Sequence, residues 1–219
     1  MIYLNWDGGA ERTDKLLEGL PRNVGLEENP PINYPWVMAD MIERRYQEAL
    51  RRLSSGSSKV YECANFYTPK DLLAVQIHGL MNQTELEQAS YEAARDLLEA
   101  RIEEQPKNGN MHSSLGIAYA GLGRLDDAIR EGRLGLELLA GHLGPQLGFR
   151  LKDLAQIYVM LGDYDEALNH LDHLLSVPAF YSAPYLKADP TWNSLRDNSR
   201  FLALLEKHGA TAVPLSPAP

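Results

Sequence analysis

A pair of histidines on one predicted helix is the strongest candidate for metal chemistry in the chain. His170 and His173 are three residues apart, so they share a helix face, and Glu166 lies one turn earlier. This spacing is compatible with a metal site. The alternative is two partly exposed polar residues beside Leu171 and Leu174. Because no cysteine or second group of ligands accompanies the pair, we expect no metal and no cofactor.

The other candidate catalytic residues lack the partners that their chemistry requires. Cys63, the single cysteine, has no histidine at motif spacing, so a buried apolar role is favoured over a nucleophile. Asp126, Asp127, Asp163 and Asp165 fall at predicted helix starts, where the helix dipole favours negative charge, and do not form a calcium loop. Phosphate-binding glycine loops and the GxSxG motif do not occur in the sequence. The sequence therefore predicts a protein that is not an enzyme.

Composition and charge disfavour several classes of partner. Hydrophobic residues make up 44% and charged residues 23% of the 219 residues, as in folded globular proteins. The net charge of −9 disfavours nucleic acid, which is bound through clustered Lys and Arg. The one basic cluster, at Arg44, Arg45, Arg51 and Arg52, is interleaved with glutamates, so we expect a solvated helix face. The sequence shows neither a membrane span nor a secretory signal, which predicts a cytoplasmic location.

Two segments of the chain repeat each other at an interval of 39 residues. LGIAYAGLGRLDDAI begins at Leu115, and LAQIYVMLGDYDEAL begins at Leu154. In each, apolar residues at i, i+4 and i+7 form one face of a helix, and Gly123 or Gly162 then supplies a turn. A second amphipathic helix follows. Each unit is therefore predicted to be a helix–turn–helix that cannot bury its apolar face alone.

These two units resemble tetratricopeptide repeats. The resemblance rests on Leu115-Gly116, Tyr119, Gly123 and Ala128, and again on Leu154-Ala155, Tyr158, Gly162, Tyr164 and Ala167. The interval exceeds the 34 residues usual in the family, so longer helices or loops are expected. The resemblance implies an all-α fold, an α-α superhelix (solenoid) of about five such helix hairpins. Small residues, namely Gly116, Ala128, Ala155 and Ala167, are expected to let successive hairpins nest together.

Weaker copies of the unit divide the rest of the chain. We expect units at 1–21, 31–54, 69–106, 109–140 and 148–178, a C-terminal cap at 185–208 and a disordered tail at 210–219. The third unit is predicted to have helices over 71–81 and 85–104, with Asn82 in the left-handed position that glycine holds elsewhere. The proline-rich segment 21–35 is predicted to be a loop, and 54–58 a flexible connection.

The C-terminal segment resembles the end of repeat regions that are fused to bacterial signalling modules such as cyclases, kinases and transcriptional activators. The residues that support this are Leu186, Asp189-Pro190, Trp192, Leu195-Arg196, Phe201 and Leu204-Leu205. Asp189 is predicted to cap a short helix that begins at Pro190, and the apolar residues are predicted to seal the last hairpin. The first unit begins halfway through the pattern. We therefore expect this chain to be the interaction or regulatory part of a larger signalling protein.

The resemblance implies that the first helix of each hairpin lines a concave groove that binds a protein or peptide. The implied groove residues are Tyr34, Met38, Met41, Leu72, Gln76, Ser113, Ile117, Lys152, Gln156 and Met160. The alternative for Met38 and Leu72 is packing against a neighbouring helix, and for Lys152 and Gln156 it is solvated surface. A clamp for a C-terminal carboxylate is not expected, since Ser113 and Ile117 replace its polar residues in the preceding unit.

The favoured function is thus a scaffold that binds a protein or peptide, without nucleic acid or membrane as a partner. The alternative is a small-ligand-sensing regulatory domain with an apolar pocket inside the superhelix. A third hypothesis is a metal-dependent enzyme that uses His170 and His173. The sequence does not predict the oligomeric state.

Overall fold

Consecutive helices pair as antiparallel hairpins in the computed structural model, which describes residues 30–55, 57–139 and 145–209. The pairs are α1 (Pro30–Ile42) with α2 (Tyr46–Ser54), α3 (Lys70–Leu80) with α4 (Thr84–Glu104), α5 (Gly109–Gly121) with α6 (Leu125–Glu137), and α7 (Pro145–Met160) with α8 (Tyr164–Ser176). The chain continues through α9 (Ala183–Ala188), a 3-10 helix (Pro190–Leu195) and α10 (Ser199–Gly209). The predicted all-α class is confirmed. The predicted first unit, 1–21, and the tail, 210–219, lie outside the described residues.

The turns within the hairpins have the left-handed backbone that the sequence predicts. Gly123 has φ of 72° and Gly162 has φ of 77°, between the helices of the two clearest repeats. Asn82 takes the same conformation, with φ of 57°, between α3 and α4. Asparagine is among the few residues that adopt this region readily. The interpretation of Asn82 as a substitute for glycine is therefore confirmed.

Small residues allow the helices of neighbouring hairpins to approach closely. A Cβ on Gly116 of α5 would lie 2.7 Å from Cδ1 of Ile157 on α7 and 2.9 Å from the carbonyl oxygen of Ala128 on α6. Ala128, Ala155 and Ala167 are completely buried. The predicted nesting of successive hairpins is confirmed at these positions, whereas the path of the superhelix stays a prediction.

A short β-hairpin between α2 and α3 was not predicted. Its strands, β1 (Val60–Cys63) and β2 (Phe66–Pro69), are antiparallel and pair Val60 with Pro69. β1 packs on α1, and β2 packs mainly on α5. Each strand has four residues, which is too short for a clear alternation of apolar and polar side chains. Cys63 ends β1 half-buried and packs against the apolar core, so it is less buried than the sequence indicates.

Two other expectations for the N-terminal region are corrected. The predicted loop over 21–35 ends earlier than expected, because α1 begins at Pro30. Proline suits the first turn of a helix, where the backbone amides have no helical partner. The arginine cluster is not simply a solvated face either. Asp40 is 1% exposed, and its two carboxylate oxygens accept from Nε of Arg45 at 2.8 Å and Nε of Arg52 at 2.5 Å.

The C-terminal segment folds back on the last hairpin as a cap. Trp192 and Leu195 are completely buried, and Phe201 is nearly so, in the same core as α7 and α8. The Asp189 side chain accepts a hydrogen bond of 2.9 Å from the Thr191 amide and so caps the 3-10 helix. The predicted capping by Asp189 and the predicted burial of these apolar residues are confirmed.

Candidate partner-binding site

Residues from four hairpins and the cap enclose a small polar cavity of about 30 Å³. The first helix of each hairpin in the described ranges contributes, namely α1, α3, α5 and α7. We call this space the polar cavity, and its lining consists of Tyr34, Met38, Thr68, Leu72, Leu73, Gln76, Ser114, Ile117, Lys152, Asp153, Gln156, Tyr185, Asp189 and Thr191. The side that was predicted to be an open groove is therefore largely covered by the β-hairpin and the cap.

Most of the residues that were predicted to face a partner meet around this cavity. Seven of them line it, namely Tyr34, Met38, Leu72, Gln76, Ile117, Lys152 and Gln156. Met160 lies just outside, and Met41 is packed in the core at 1% exposure. The alternative of solvated surface for Lys152 and Gln156 is wrong, because both side chains are mostly buried. That these residues bind a partner stays a prediction.

On α5, the predicted groove residue Ile117 lines the polar cavity, but the predicted residue Ser113 does not. Ser113 is completely buried and faces Gly135 of α6, where a Cβ would lie 2.2 Å from the serine Oγ. Ser114 lines the polar cavity instead and donates to the carbonyl oxygen of Tyr67 at 2.5 Å. Ser114 therefore contacts the β-hairpin, an element that the sequence does not predict.

Two buried cations beside the polar cavity share one carboxylate, Asp153. Nζ of Lys152 lies 3.2 Å from Oδ1 of Asp153, and the guanidinium of Arg150 lies 3.1 Å from Oδ2 of the same carboxylate. Burial alone would lower the pKa of Lys152, but Asp153, Tyr34 and Asp189 raise it above its usual value. Burial also lowers the pKa of Arg150, against the opposing effect of Asp153. Lys152 is therefore a charged lysine in a shielded environment.

A row of aromatic rings connects Tyr34 with Tyr185, and both of these end residues line the polar cavity. Phe66 of β2 lies between Tyr34 and Phe149, with ring centroids 5.1 Å and 5.6 Å away. The row continues through Tyr181, 5.4 Å from Phe149, to Tyr185, 5.4 Å further on. Burial raises the pKa of Tyr34 to about 12, with Lys152 opposing, so its hydroxyl stays neutral. The rings come from distant parts of the chain without regular spacing, so sequence periodicity does not predict the row.

A wider cleft of about 210 Å³ adjoins the polar cavity. The two spaces share Gln76, Gln156 and Thr191 as lining residues. We call this second space the outer cleft, and its lining consists of Val75, Gln76, Gly79, Leu80, Glu87, Tyr91, Gln156, Met160, Pro190 and Thr191. Its walls are therefore mostly apolar, while the shared residues at the junction are polar.

A further depression, of about 610 Å³, lies where α5 and α7 begin. It includes Lys107, Asn108 and Arg150. The Arg150 guanidinium, however, already donates to the carbonyl oxygens of Gly109 at 3.1 Å and Asn65 at 3.3 Å. It holds the β-hairpin against α5, so we regard Arg150 as structural.

The candidate metal ligands His170 and His173 do not belong to a larger group of metal-binding side chains within the described ranges. Across residues 30–55, 57–139 and 145–209, no three His, Cys, Asp or Glu side chains are placed to hold a metal ion. The His170 ring stacks on Tyr158 with centroids 5.5 Å apart and planes 12° apart, and His173 is exposed. Burial lowers the pKa of His170, with Glu166 opposing. The geometry thus favours His170 as a packing residue.

Residues 107–177 match the family model of the tetratricopeptide repeat. The match spans α5 to α8, which are the two hairpins with the clearest internal repeat. The comparison with curated proteins found no match. No helix of the described ranges is long and apolar enough to cross a membrane. Repeats of this family generally mediate protein–protein interaction and are typically non-catalytic, so the match supports a tetratricopeptide repeat assignment and a role in binding proteins.

Proposed function

We propose that this chain is an interaction module that binds a segment of a partner protein at the outer cleft. The main support is the convergence of predicted partner-facing residues from α1, α3, α5 and α7 on one polar cavity that this cleft adjoins. The covered cavity leaves the cleft as the accessible part of that face. An extended segment would lie along the cleft and insert a side chain toward Gln76 and Gln156.

The lining of the outer cleft suits a polypeptide better than a metabolite. Leu80, Tyr91, Met160 and Pro190 provide apolar and aromatic surface, which is common where proteins bind one another. The polar cavity itself has a volume of about 30 Å³, whereas small-molecule sites usually have at least about 300 Å³. The alternative of an apolar effector pocket inside the repeat array is therefore disfavoured.

A display library of short peptides, selected against the full chain, would test this proposal. We expect the selected peptides to bind Met160→Glu at least about tenfold more weakly than the wild type, because the substitution places a charge on the apolar wall. Leu202→Glu is the matched control, since Leu202 is 53% exposed on α10 and does not line the cleft. Peptides that bind both variants equally well would contradict the proposed location.

The more specific part of the proposal is that this chain is the interaction or regulatory part of a larger signalling protein. It is supported by the resemblance of the segment around Asp189-Pro190 and Trp192 to repeat regions of such proteins. The sequence encoded next to this chain would test it. A cyclase, kinase or DNA-binding domain there would support a regulatory arm, whereas an adjoining sequence without a signalling module would contradict it.

A further inference from the structure

Two glutamines at the junction of the outer cleft and the polar cavity present hydrogen-bond acceptors that no described residue satisfies. Gln76 and Gln156 line both spaces, and Gln156 is only 5% exposed. In each, the carboxamide oxygen is buried and has no hydrogen-bond partner within the described residues. Buried acceptors are nearly always paired in folded proteins. The two oxygens are therefore well placed to accept from a donor that enters through the cleft.

The charge around these oxygens favours a cationic donor. The outer cleft and polar cavity together are lined by three carboxylates, Glu87, Asp153 and Asp189, and by one lysine, Lys152. The Lys152 ammonium is paired with Asp153, which the Arg150 guanidinium also contacts, so these three carboxylates and two cations together carry a net charge of −1. Glu87 and Asp189 form no ion pair with a described cationic side chain. A second ammonium would thus enter a site of net negative charge.

The size and walls of the two spaces restrict the shape of such a ligand. A volume of about 30 Å³ admits only one or two water-sized groups, and an ammonium group is of that size. A planar guanidinium, with its three nitrogens around a carbon, is too large. The apolar walls of the outer cleft, at Leu80, Tyr91, Met160 and Pro190, match an unbranched alkyl chain.

We propose that the outer cleft and the polar cavity together accept the side chain of a lysine from the partner polypeptide. The alkyl chain lies against the apolar walls, and the ammonium donates to the oxygens of Gln76 and Gln156 near Asp189. Acetylation of that lysine removes the charge and enlarges the group, so it blocks entry. This inference rests on the proposed function, because the lysine belongs to the bound segment.

Peptide libraries with one fixed central residue would test the inference on the full chain. The libraries carry Lys, Arg, acetyl-lysine or norleucine at the centre, and norleucine retains the alkyl chain without the ammonium. We expect the lysine library to bind at least about tenfold more tightly than the other three. In parallel, n-butylammonium chloride should shift the NMR signals of the Gln76 and Gln156 side-chain amides, while butylguanidinium and butyrate should not.

Three substitutions separate recognition of the ammonium from folding. Gln156→Met keeps the side-chain length and removes the unpaired acceptor, so lysine selectivity should fall while the melting temperature stays equal or rises. Glu87→Gln should weaken binding of the lysine library roughly two- to fivefold through loss of a partly exposed charge. Glu92→Gln is the control, because Glu92 lies on the same helix, is exposed and does not line the cleft.

The outcomes distinguish this inference from the proposed function. Equal binding of the lysine and norleucine libraries, reduced by Met160→Glu, would overturn lysine recognition and leave peptide binding intact. If butylammonium shifts the NMR signals of the glutamine side-chain amides but no peptide library binds, recognition of a peptide lysine would also be overturned. That result would indicate a site for free amines. Failure of every library and of the display selection would overturn both proposals.

Discussion

The ring of Tyr91 on α4 fills the space beside the Cα of Gly121 on α5. A Cβ on Gly121 would lie 2.1 Å from Cζ of that ring. Tyr91 is 8% exposed and forms part of the outer cleft. The close approach of α4 to α5 therefore determines both the packing of two neighbouring hairpins and the shape of one cleft wall.

Substitution of Gly121 by alanine should destabilise the protein. The added methyl group must displace the Tyr91 ring, and overpacking of this kind costs about 1–3 kcal/mol. Urea denaturation would measure the change in the free energy of unfolding. Gly79→Ala is the control, because the nearest atoms there belong to the flexible carboxylate end of Glu87, at 3.1 Å. Equal stability of the two variants would show that Tyr91 relaxes without cost.

Gly162→Ala should destabilise the protein through the backbone alone. Gly162 has φ of 77°, and an added Cβ would have no neighbouring atom within 4 Å. The substitution therefore causes no steric clash and disfavours only the left-handed backbone conformation. We expect a loss of about 1 kcal/mol, and a smaller loss for Gly162→Asn. Gly209→Ala is a matched control, since Gly209 also has open space around it but no left-handed φ. Equal effects at both positions would contradict the explanation.

Asp153→Asn should be far more damaging than a comparable change at the surface. It leaves the buried cations of Arg150 and Lys152 without their shared carboxylate, and breaking a buried ion pair in this way costs about 3–5 kcal/mol. Asp165→Asn is the control, because the ion pair of Asp165 with Arg200 is exposed to solvent. Thermal unfolding of the two variants would compare them, and similar melting temperatures would refute the role of Asp153.

The stability of the protein should decrease on acidification through His170. Because burial lowers the pKa of His170 in the folded protein, the unfolded chain binds the proton more readily as the pH falls below about 6.5. The stability contributed by neutral His170 is therefore complete above this pH and is lost below it. His170→Phe keeps an aromatic ring against Tyr158 and should reduce this loss between pH 7.5 and 5.5. An unchanged pH profile of the unfolding free energy would refute this prediction.

The sequence predicts the parts of this fold that depend on local chemistry. The left-handed turns at Gly123, Gly162 and Asn82 require residues that adopt a positive φ readily. The burial of Ala128 and Ala167 follows from helical periodicity. Much of the lining of the polar cavity was also identified, because one face of each first helix can be assigned from the repeat. These features need no knowledge of distant parts of the chain.

The features that the sequence did not reveal depend on contacts between distant segments. The β-hairpin has strands of only four residues, and its Tyr67 carbonyl accepts a hydrogen bond from Ser114, which lines the cavity. The burial of Lys152 depends on Asp189 and Tyr185 of the cap, which follow it by more than thirty residues. Neither relationship leaves a periodic pattern, so repeat analysis alone predicts an open groove where the structure has a covered one.

The long-range hydrogen bonds across the covered face affect the cooperativity with which the chain unfolds. In an ordinary linear array each repeat touches only its neighbours, and unfolding proceeds by fraying from an end. Here Ser114 bonds to a carbonyl 47 residues away, and Arg150 bonds to one 85 residues away. Loss of an end unit would break bonds in the middle of the chain. The described hairpins should therefore melt together, with the single sharp transition of a small globular domain.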